Sequence, residues 1–547
     1  MPGLRSRRGC HPPAQPEAVR RRGTSSTSRS GSCGEAIKPS RTSIAAPVDQ
    51  YNPLPSRYRQ SIAGGSVAAP SDRTNHAIAA HLAETGLTPR GLARELNRLF
   101  GAGTLAETAP YHWRDAGGVP RSPLPALTAY VISRRLGRVI TARDLWPGHN
   151  EVADGTLVLE ASAGMDGPWV PASTMRIAED WLLGGLVDRR LFLSVSGAAL
   201  ARAVGVYLDA QFGTGSTGLP ATSADDPLVD QIEASVPRLQ LLDDERGGAA
   251  GLNYVGAQMR AVLLVLRDGG HTDGVRRRLL HALADLAQLA GWKAIDAAQP
   301  GLAQRYLFTG LRAAHEAGYR AMEAHILADL SFQAASLGDA GDGVVLGEAA
   351  WRAAARSAAS VQASVQSRLA YAYAAAGRPQ NCERSWQDSH EHLARRHTDR
   401  DPPWMYYLTA NHLDCQAGYA MILAGRHAVA NGAGANGRVL LRKGAALLRT
   451  GAYARRPDVP YQRRALYEGA WLALAYTAHG KLDDACAVAE LALPRLGQVR
   501  SPRSTALLNT LATELRRRKR NHTVGEFLPA LETALSNQAI ERLPSTP

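Results

Sequence analysis

The chain has 547 residues, 45% hydrophobic, 20% charged and only 6% aromatic, with a formal net charge of +14 and a pI near 9.8. That apolar content excludes wholesale disorder, and the length calls for several domains or one long repeat array. No apolar run approaches the ~20 residues of a membrane span, and five cysteines without Cys-x-x-Cys spacing argue against a disulfide scaffold or a zinc site. A cytoplasmic protein with no membrane contact is expected.

The charge is unevenly placed. Residues 1–70 hold 11 Lys/Arg against 3 Asp/Glu, a net of +8, residues 71–147 add +4, and the remaining 400 share +2. The first 70 residues combine Arg clusters, Ser/Thr runs and Pro with almost no apolar periodicity. Such a stretch cannot offset its ordering entropy, so a disordered basic tail is predicted. A solvated extension, a start codon placed too early and a phosphate-gripping arm are its readings, the first two favoured over the arm. It lacks the apolar stretch of an export signal.

From Ser71 the texture turns helical. A short amphipathic helix is predicted from Asn75 to Glu84, ending at Gly86. A second is predicted over 88–100, with Thr88 as its cap, Pro89 at its first position, and Leu92, Ala93, Leu96 and Leu99 on one face. Three more are predicted over Glu107–Asp115, Leu124–Leu136 and Thr141–Leu145. Leu87-Thr88 with Leu92-Ala93, and Trp113, Gly117 and Pro120 further on, resemble the lambda-repressor-like (Xre-type) DNA-binding domain. The resemblance implies double-stranded DNA as partner and Tyr111, His112 and Arg114 on the exposed face of the groove-entering helix. Thr88, Arg90 and Thr108 join them as candidate DNA-binding residues, Arg90 toward a phosphate. Trp113 is expected to be buried. One departure stands: the connection Gly101–Ala106 is longer than the motif's usual three or four residues. It implies either an expanded turn or a lost groove-reading geometry, and a five-helix packing unit without DNA contact is the competing reading.

Residues 148–227 read as connecting helices and a linker. Arg189-Arg190-Leu191-Phe192 mimics a twin-arginine signal but lies far from the N-terminus, so a helix beginning near Asp188 is expected. Gly213–Gly218 lacks the Lys-Ser/Thr of a phosphate loop and reads as a flexible linker.

From Leu228 onward the chain is rich in Ala, Leu and Arg and punctuated by Gly. Tyr476, Gly480, Ala485, Ala489 and Ala492 form the clearest repeat unit, and Tyr373, Gly377, Cys382 and Trp386 occupy matching places. Gly338, Gly343 and Ala350 form a third, Gly291, Ala298, Ala303 and Leu307 a fourth, and Gly418 with Gly425 a degenerate fifth. The small positions 303, 343, 382, 430 and 485 are taken as equivalent, 40, 39, 48 and 55 residues apart. This resembles a tetratricopeptide-like solenoid with long helices or loops. Tyr373 and Tyr476 are assigned to its core.

The expected fold is thus all-α: a disordered basic N-terminal tail (1–70), a five-helix lambda-repressor-like domain (71–147), connecting helices (148–227) and a tetratricopeptide-like α-solenoid (228–547). With Leu145-Trp-Pro-Gly148, Asp188–Leu193 and Ala290–Tyr306, this order resembles the actinobacterial tetratricopeptide regulators, which include negative regulators of differentiation and antibiotic production in streptomycetes. The resemblance implies a transcriptional regulator whose array binds a protein or peptide partner or a signal. Tight DNA binding calls for a homodimer on a two-part site. The run His390-Glu391-His392…His397 fails the zincin spacing and is read as exposed surface histidines. No catalytic constellation, cofactor or metal is expected. A scaffold that never touches DNA is the alternative.

Overall fold

All regular elements in the computed structural model are helical among the described residues, which are 74–540 apart from 101–104, 122–123, 137, 139, 150–163, 166, 184–193, 214–225 and 453–461. The tail, the helix expected near Asp188, the linker after Gly213 and the Leu99 side chain lie outside them. No described helix is long and apolar enough to cross a membrane.

Five short helices form the first bundle. In α1 (His76–Thr85) the Asn75 side chain accepts from the Ile78 N–H, and Gly86 closes the helix at φ +67°. In α2 (Pro89–Phe100) the Thr88 hydroxyl accepts from the Gly91 N–H at 3.0 Å, and Leu92, Ala93 and Leu96 are fully buried. Next come α3 (Ala109–Asp115), α4 (Leu124–Leu136) and α5 (Ala142–Leu145), the last opened by a reciprocal cap between Thr141 and Asp144. Trp113 and Trp146 meet edge to face at 6.0 Å, and the Trp146 indole donates to the Gly118 carbonyl.

The connecting helices α6 (Pro171–Leu182) and α7 (Ala198–Gly213) pack against the helical body formed by the rest of the chain. The Arg312 guanidinium donates to the carbonyls of Gly164, Met165, Gly167 and Pro168, and the Tyr207 hydroxyl donates to Glu323. From the bundle, buried Arg134 pairs with Asp339, and Tyr130 donates to the Ser194 carbonyl. The bundle is therefore bolted to the body through α4.

The body begins with α8 (Pro227–Arg246) and α9 (Leu252–Asp268), then runs as antiparallel pairs. These are α10 (Asp273–Asp296) with α11 (Pro300–Glu316), α12 (Arg320–Ser336) with α13 (Ala340–Ala353), and α14 (Ala359–Ala375) with α15 (Pro379–Ala394). Two more pairs complete the series: α16 (Ala410–Ala430) with α17 (Gly434–Ala452), and α18 (Gln462–Ala478) with α19 (Leu482–Glu490). The chain ends in α20 (Leu493–Leu496), α21 (Pro502–Arg516) and α22 (His522–Ile540).

One turn recurs in all five pairs. The residue after a left-handed position returns its N–H to the carbonyl five residues back: Gln299 to Ala294, Asp339 to Ala334, Arg378 to Tyr373, Ala433 to Ala428 and Lys481 to Tyr476. Glycine holds the left-handed position at 338, 377, 432 and 480, and Ala298 holds it at φ +57° in the first pair. Five residues beyond each sits a small residue at the helix crossing: Ala303, Gly343, Cys382, Gly437 and Ala485. This corrects one expected equivalence. Ala430 is exposed, and Gly437 takes the crossing place, where an added Cβ would lie 2.7 Å from the Gly425 carbonyl oxygen. The corrected spacings are 40, 39, 55 and 48 residues. Tyr476 is buried as expected, while Tyr373 is half-buried with its hydroxyl on Glu348.

The first and last pairs are also joined. α8 packs on both α10 and α18, and α21 bridges the same two helices. Backbone bonds run from Arg500 N to Arg246 O and from Ala249 N to Arg500 O, and Asp296 binds both Ser501 and Arg503. The inner faces of the first helices of the pairs consequently enclose a common interior.

Candidate functional site

Two places carry unusual chemistry: the exposed face of the bundle and the interior of the body. On the bundle, α3 is only two turns long and is held by Trp113, which is 4% exposed. That burial turns Tyr111, 39% exposed, and His112 outward, with exposed Thr108 just before the helix. Arg114 is half-buried, donates twice to Asp115 at 2.6 and 3.0 Å, and lies 5.4 Å from the Tyr111 ring centre. Arg90 and Arg94, one turn apart on α2, both bind Glu107 ahead of α3. Their guanidinium hydrogen bonds hold the Glu107 carboxyl below its ordinary range, and Arg114 does the same for Asp115. Exposed Thr88 spends its hydroxyl oxygen on the α2 cap.

The structure thus brings Tyr111, His112 and Arg114 onto one short helix with Thr108 just before it, and sets Thr88 and Arg90 at the start of the helix that precedes it. Sequence reasoning missed Glu107 as the carboxylate that engages the α2 arginines. It also missed Asn97, whose side chain donates to the Leu105 carbonyl at 2.8 Å and accepts the Leu105 N–H at 2.9 Å. This clasp fixes the far end of the long α2–α3 connection.

The interior of the body holds a cavity of about 110 Å³ lined from α8, α10, α12, α14, α16, α18 and α21. By the measure in which one water needs roughly 10–15 Å³, it admits several waters or a small side chain. Trp292 is its centre, with the guanidinium carbons of Arg368, Arg503 and Arg463 at 4.5, 5.1 and 5.8 Å from its ring. Carboxylates answer them: Asp329 to Arg368 at 3.5 Å, Asp296 to Arg503 at 3.1 Å, and Asp243 and Asp244 to Arg463 at 3.3 and 3.1 Å. An apolar filling of the same volume is often as stable as such buried charges, so the cluster is weak evidence of a purely stabilising role.

Several polar atoms at this cavity have no hydrogen-bond partner: Asp329 Oδ1, Arg368 Nε, His325 Nδ1 and His412 Nδ1. His325 stacks on Trp404 at 4.6 Å, and burial lowers its pKa. Burial lowers that of His412 as well, helped by Arg464, Arg368 and Arg463, so its surroundings favour the neutral ring. The cavity therefore offers a matched donor and acceptor edge, aromatic walls and no net charge among its four arginines and four carboxylates.

Two of the three histidines between residues 390 and 397 differ from expectation. His390 is half-buried, bonded to Asp414 at 2.8 Å and edge-on to Trp386, and His392 lies against Trp351. Only His397 of the three is exposed. Among the described residues no group of three or more His, Cys, Asp or Glu is placed to hold a metal.

Residues 78–145 match the family described as the SP15 N-terminal domain. The match begins inside α1 and ends on the last residue of α5, so it covers the five-helix bundle and none of the body. No curated protein matches the chain.

Proposed function

We propose that the protein is a DNA-binding transcriptional regulator, acting in the cytoplasm on differentiation or secondary metabolism. In this reading the bundle is a lambda-repressor-like domain and the body a tetratricopeptide-like solenoid that binds a protein or peptide partner or a signal. The observation that carries it is the presentation of α3. Buried Trp113 orients a short helix so that Thr108, Tyr111 and His112 face solvent ahead of the α2 N-terminus. A helix so exposed fits the major groove, and an arginine at its end suits a guanine edge. The interior cavity, with its unsatisfied polar atoms, supports a small polar ligand or a single inserted side chain of a partner as the regulating input.

A second reading has a specific observation in its favour. Arg90, Arg94 and Arg114, the cations nearest the proposed groove face, are already engaged by Glu107 and Asp115. A bundle so neutralised suits a protein-interaction scaffold. Selection of duplexes from a random pool, followed by fluorescence anisotropy on selected and scrambled sequences, separates the two. The regulator reading requires a marked preference for the selected duplex; the scaffold reading requires none.

A further inference from the structure

The turn between α21 and α22 carries five consecutive cations, Arg516-Arg517-Arg518-Lys519-Arg520. It is rigidly held: the Arg518 N–H bonds to the Leu515 carbonyl, the Asn521 N–H to the Arg518 carbonyl, and the Asn521 side chain caps α22 through Val524. Arg516 pairs with Glu532, and the Arg518 guanidinium donates to the Glu514 carbonyl. Exposed Arg517, Lys519 and Arg520 have no carboxylate partner among the described residues. The arginines that line the interior, Arg368, Arg463, Arg464 and Arg503, are each bonded to an acid, whereas this exposed run is left with its charge largely unanswered.

Its position matters as much as its charge. Arg517 lines an open cleft with Asn509, Thr510, Thr513 and Glu514 of α21, and the opposite wall is Arg94 of α2. The one carboxylate there, Glu514, is already bound by Arg426 at 2.6 Å. The cleft has no apolar side chain in its lining, so it lacks the anchor pockets by which a peptide is usually held. A polyanion with a hydrophilic backbone suits it better.

We propose that the Arg517–Arg520 turn is a second phosphate-contact surface, which grips the backbone of the duplex held at α2 without reading its bases. The inference rests on the DNA-binding reading and adds a contact from the far end of the chain. Each phosphate neutralised releases counterions and steepens the dependence of log K on log salt by about 0.9.

The test uses the full chain and the variant R517A/K519A/R520A, in anisotropy across a salt series on a selected and a scrambled duplex. All three residues are exposed, and an unchanged melting curve certifies the fold. The salt slope should become shallower by about two to three units on both duplexes alike, with discrimination between them unchanged. The charge-keeping variant R517K/R520K should restore most of the slope. A parent that binds DNA with a slope the triple variant leaves unaltered overturns the inference and spares the DNA reading. A loss confined to the selected duplex overturns it as a backbone contact. A parent that binds no duplex overturns both, and its binding to polyglutamate would then assign the turn to an acidic polypeptide.

Discussion

Trp113 and Arg114 are neighbours in sequence with opposite duties. Trp113 is buried against Trp146, so Trp113→Ala should cost about 3–5 kcal/mol and unfold the bundle rather than alter base preference, which thermal unfolding followed by circular dichroism would show. Arg114 should act on recognition alone: Arg114→Ala is expected to cost about 1–3 kcal/mol on the preferred duplex and to relax specificity there. Arg90→Ala should weaken all duplexes equally and make the salt slope shallower by about one unit. The burial of Trp113 and the exposure of Tyr111 and His112 were legible because Trp at that spacing is a packing residue and its neighbours on a two-turn helix face out. The engagement of Arg90 and Arg94 by Glu107 was not, since it depends on how α2 and α3 cross. A buried acid gives a separate residue-scale test. Burial lifts the Asp285 carboxyl to about 7, and one of its oxygens has no hydrogen-bond partner. An unfolded aspartate titrates near 3.9, so between about pH 4 and 7 the unfolded chain holds fewer protons than the folded one. This site's contribution to stability should therefore fall as pH rises through that window and level off above it. Asp285→Asn should flatten that dependence and raise stability at pH 7.5 by on the order of 2–4 kcal/mol. Urea unfolding of both proteins from pH 5 to 8 measures it, and identical pH profiles would refute the assignment.

At the scale of elements, the hairpin turn explains which glycines the chain needs. Four pairs place glycine at the left-handed position and the first places Ala298 there at φ +57°. An alanine in that conformation is strained by roughly 1 kcal/mol, so Ala298→Gly should be one of the few substitutions that stabilise, by up to about 1 kcal/mol. Gly437→Ala should do the reverse, by about 1–3 kcal/mol, because its Cβ would press on Gly425 and Val429 backbone atoms that cannot retreat. Urea midpoints of the two variants and the parent give both signs. Turn glycines and their small partners were legible in the sequence because the same close crossing imposes the same residue sizes. Position 430 was mis-assigned because α16 is so rich in alanine that several registers look alike, whereas counting five residues from Gly432 leads to Gly437. The first bundle was readable almost to the residue, since Asn75, Gly86, Thr88 and Thr141 are strong local signals.

For the whole molecule, the closure of the first pair onto the last lay beyond sequence reading. Asp243 and Arg463, or Asp296 and Arg503, are 220 and 207 residues apart, and no local period announces their meeting. The cavity around Trp292 is a product of that closure, as is the cleft between α2 and α21. Truncation after Gly425 should therefore do more than uncap a repeat. It strips Arg463 from Asp244 and Arg503 from Asp296, leaving both acids without their cation while Asp243 keeps only Lys293, so the fragment should aggregate or unfold in size-exclusion chromatography. A monomeric fragment with a cooperative melt would contradict the closed architecture as the source of stability. If the short helix held by Trp113 reads DNA, the full chain must prefer some duplex sequences over others. The most direct measurement is fluorescence anisotropy of the full chain on a selected and a scrambled duplex, repeated with Arg114→Ala. The DNA-binding reading requires clear preference for the selected duplex, reduced about 5–150-fold by the substitution. Equal affinity for both duplexes, unaffected by Arg114→Ala, would contradict it and leave the bundle a packing unit of a scaffold.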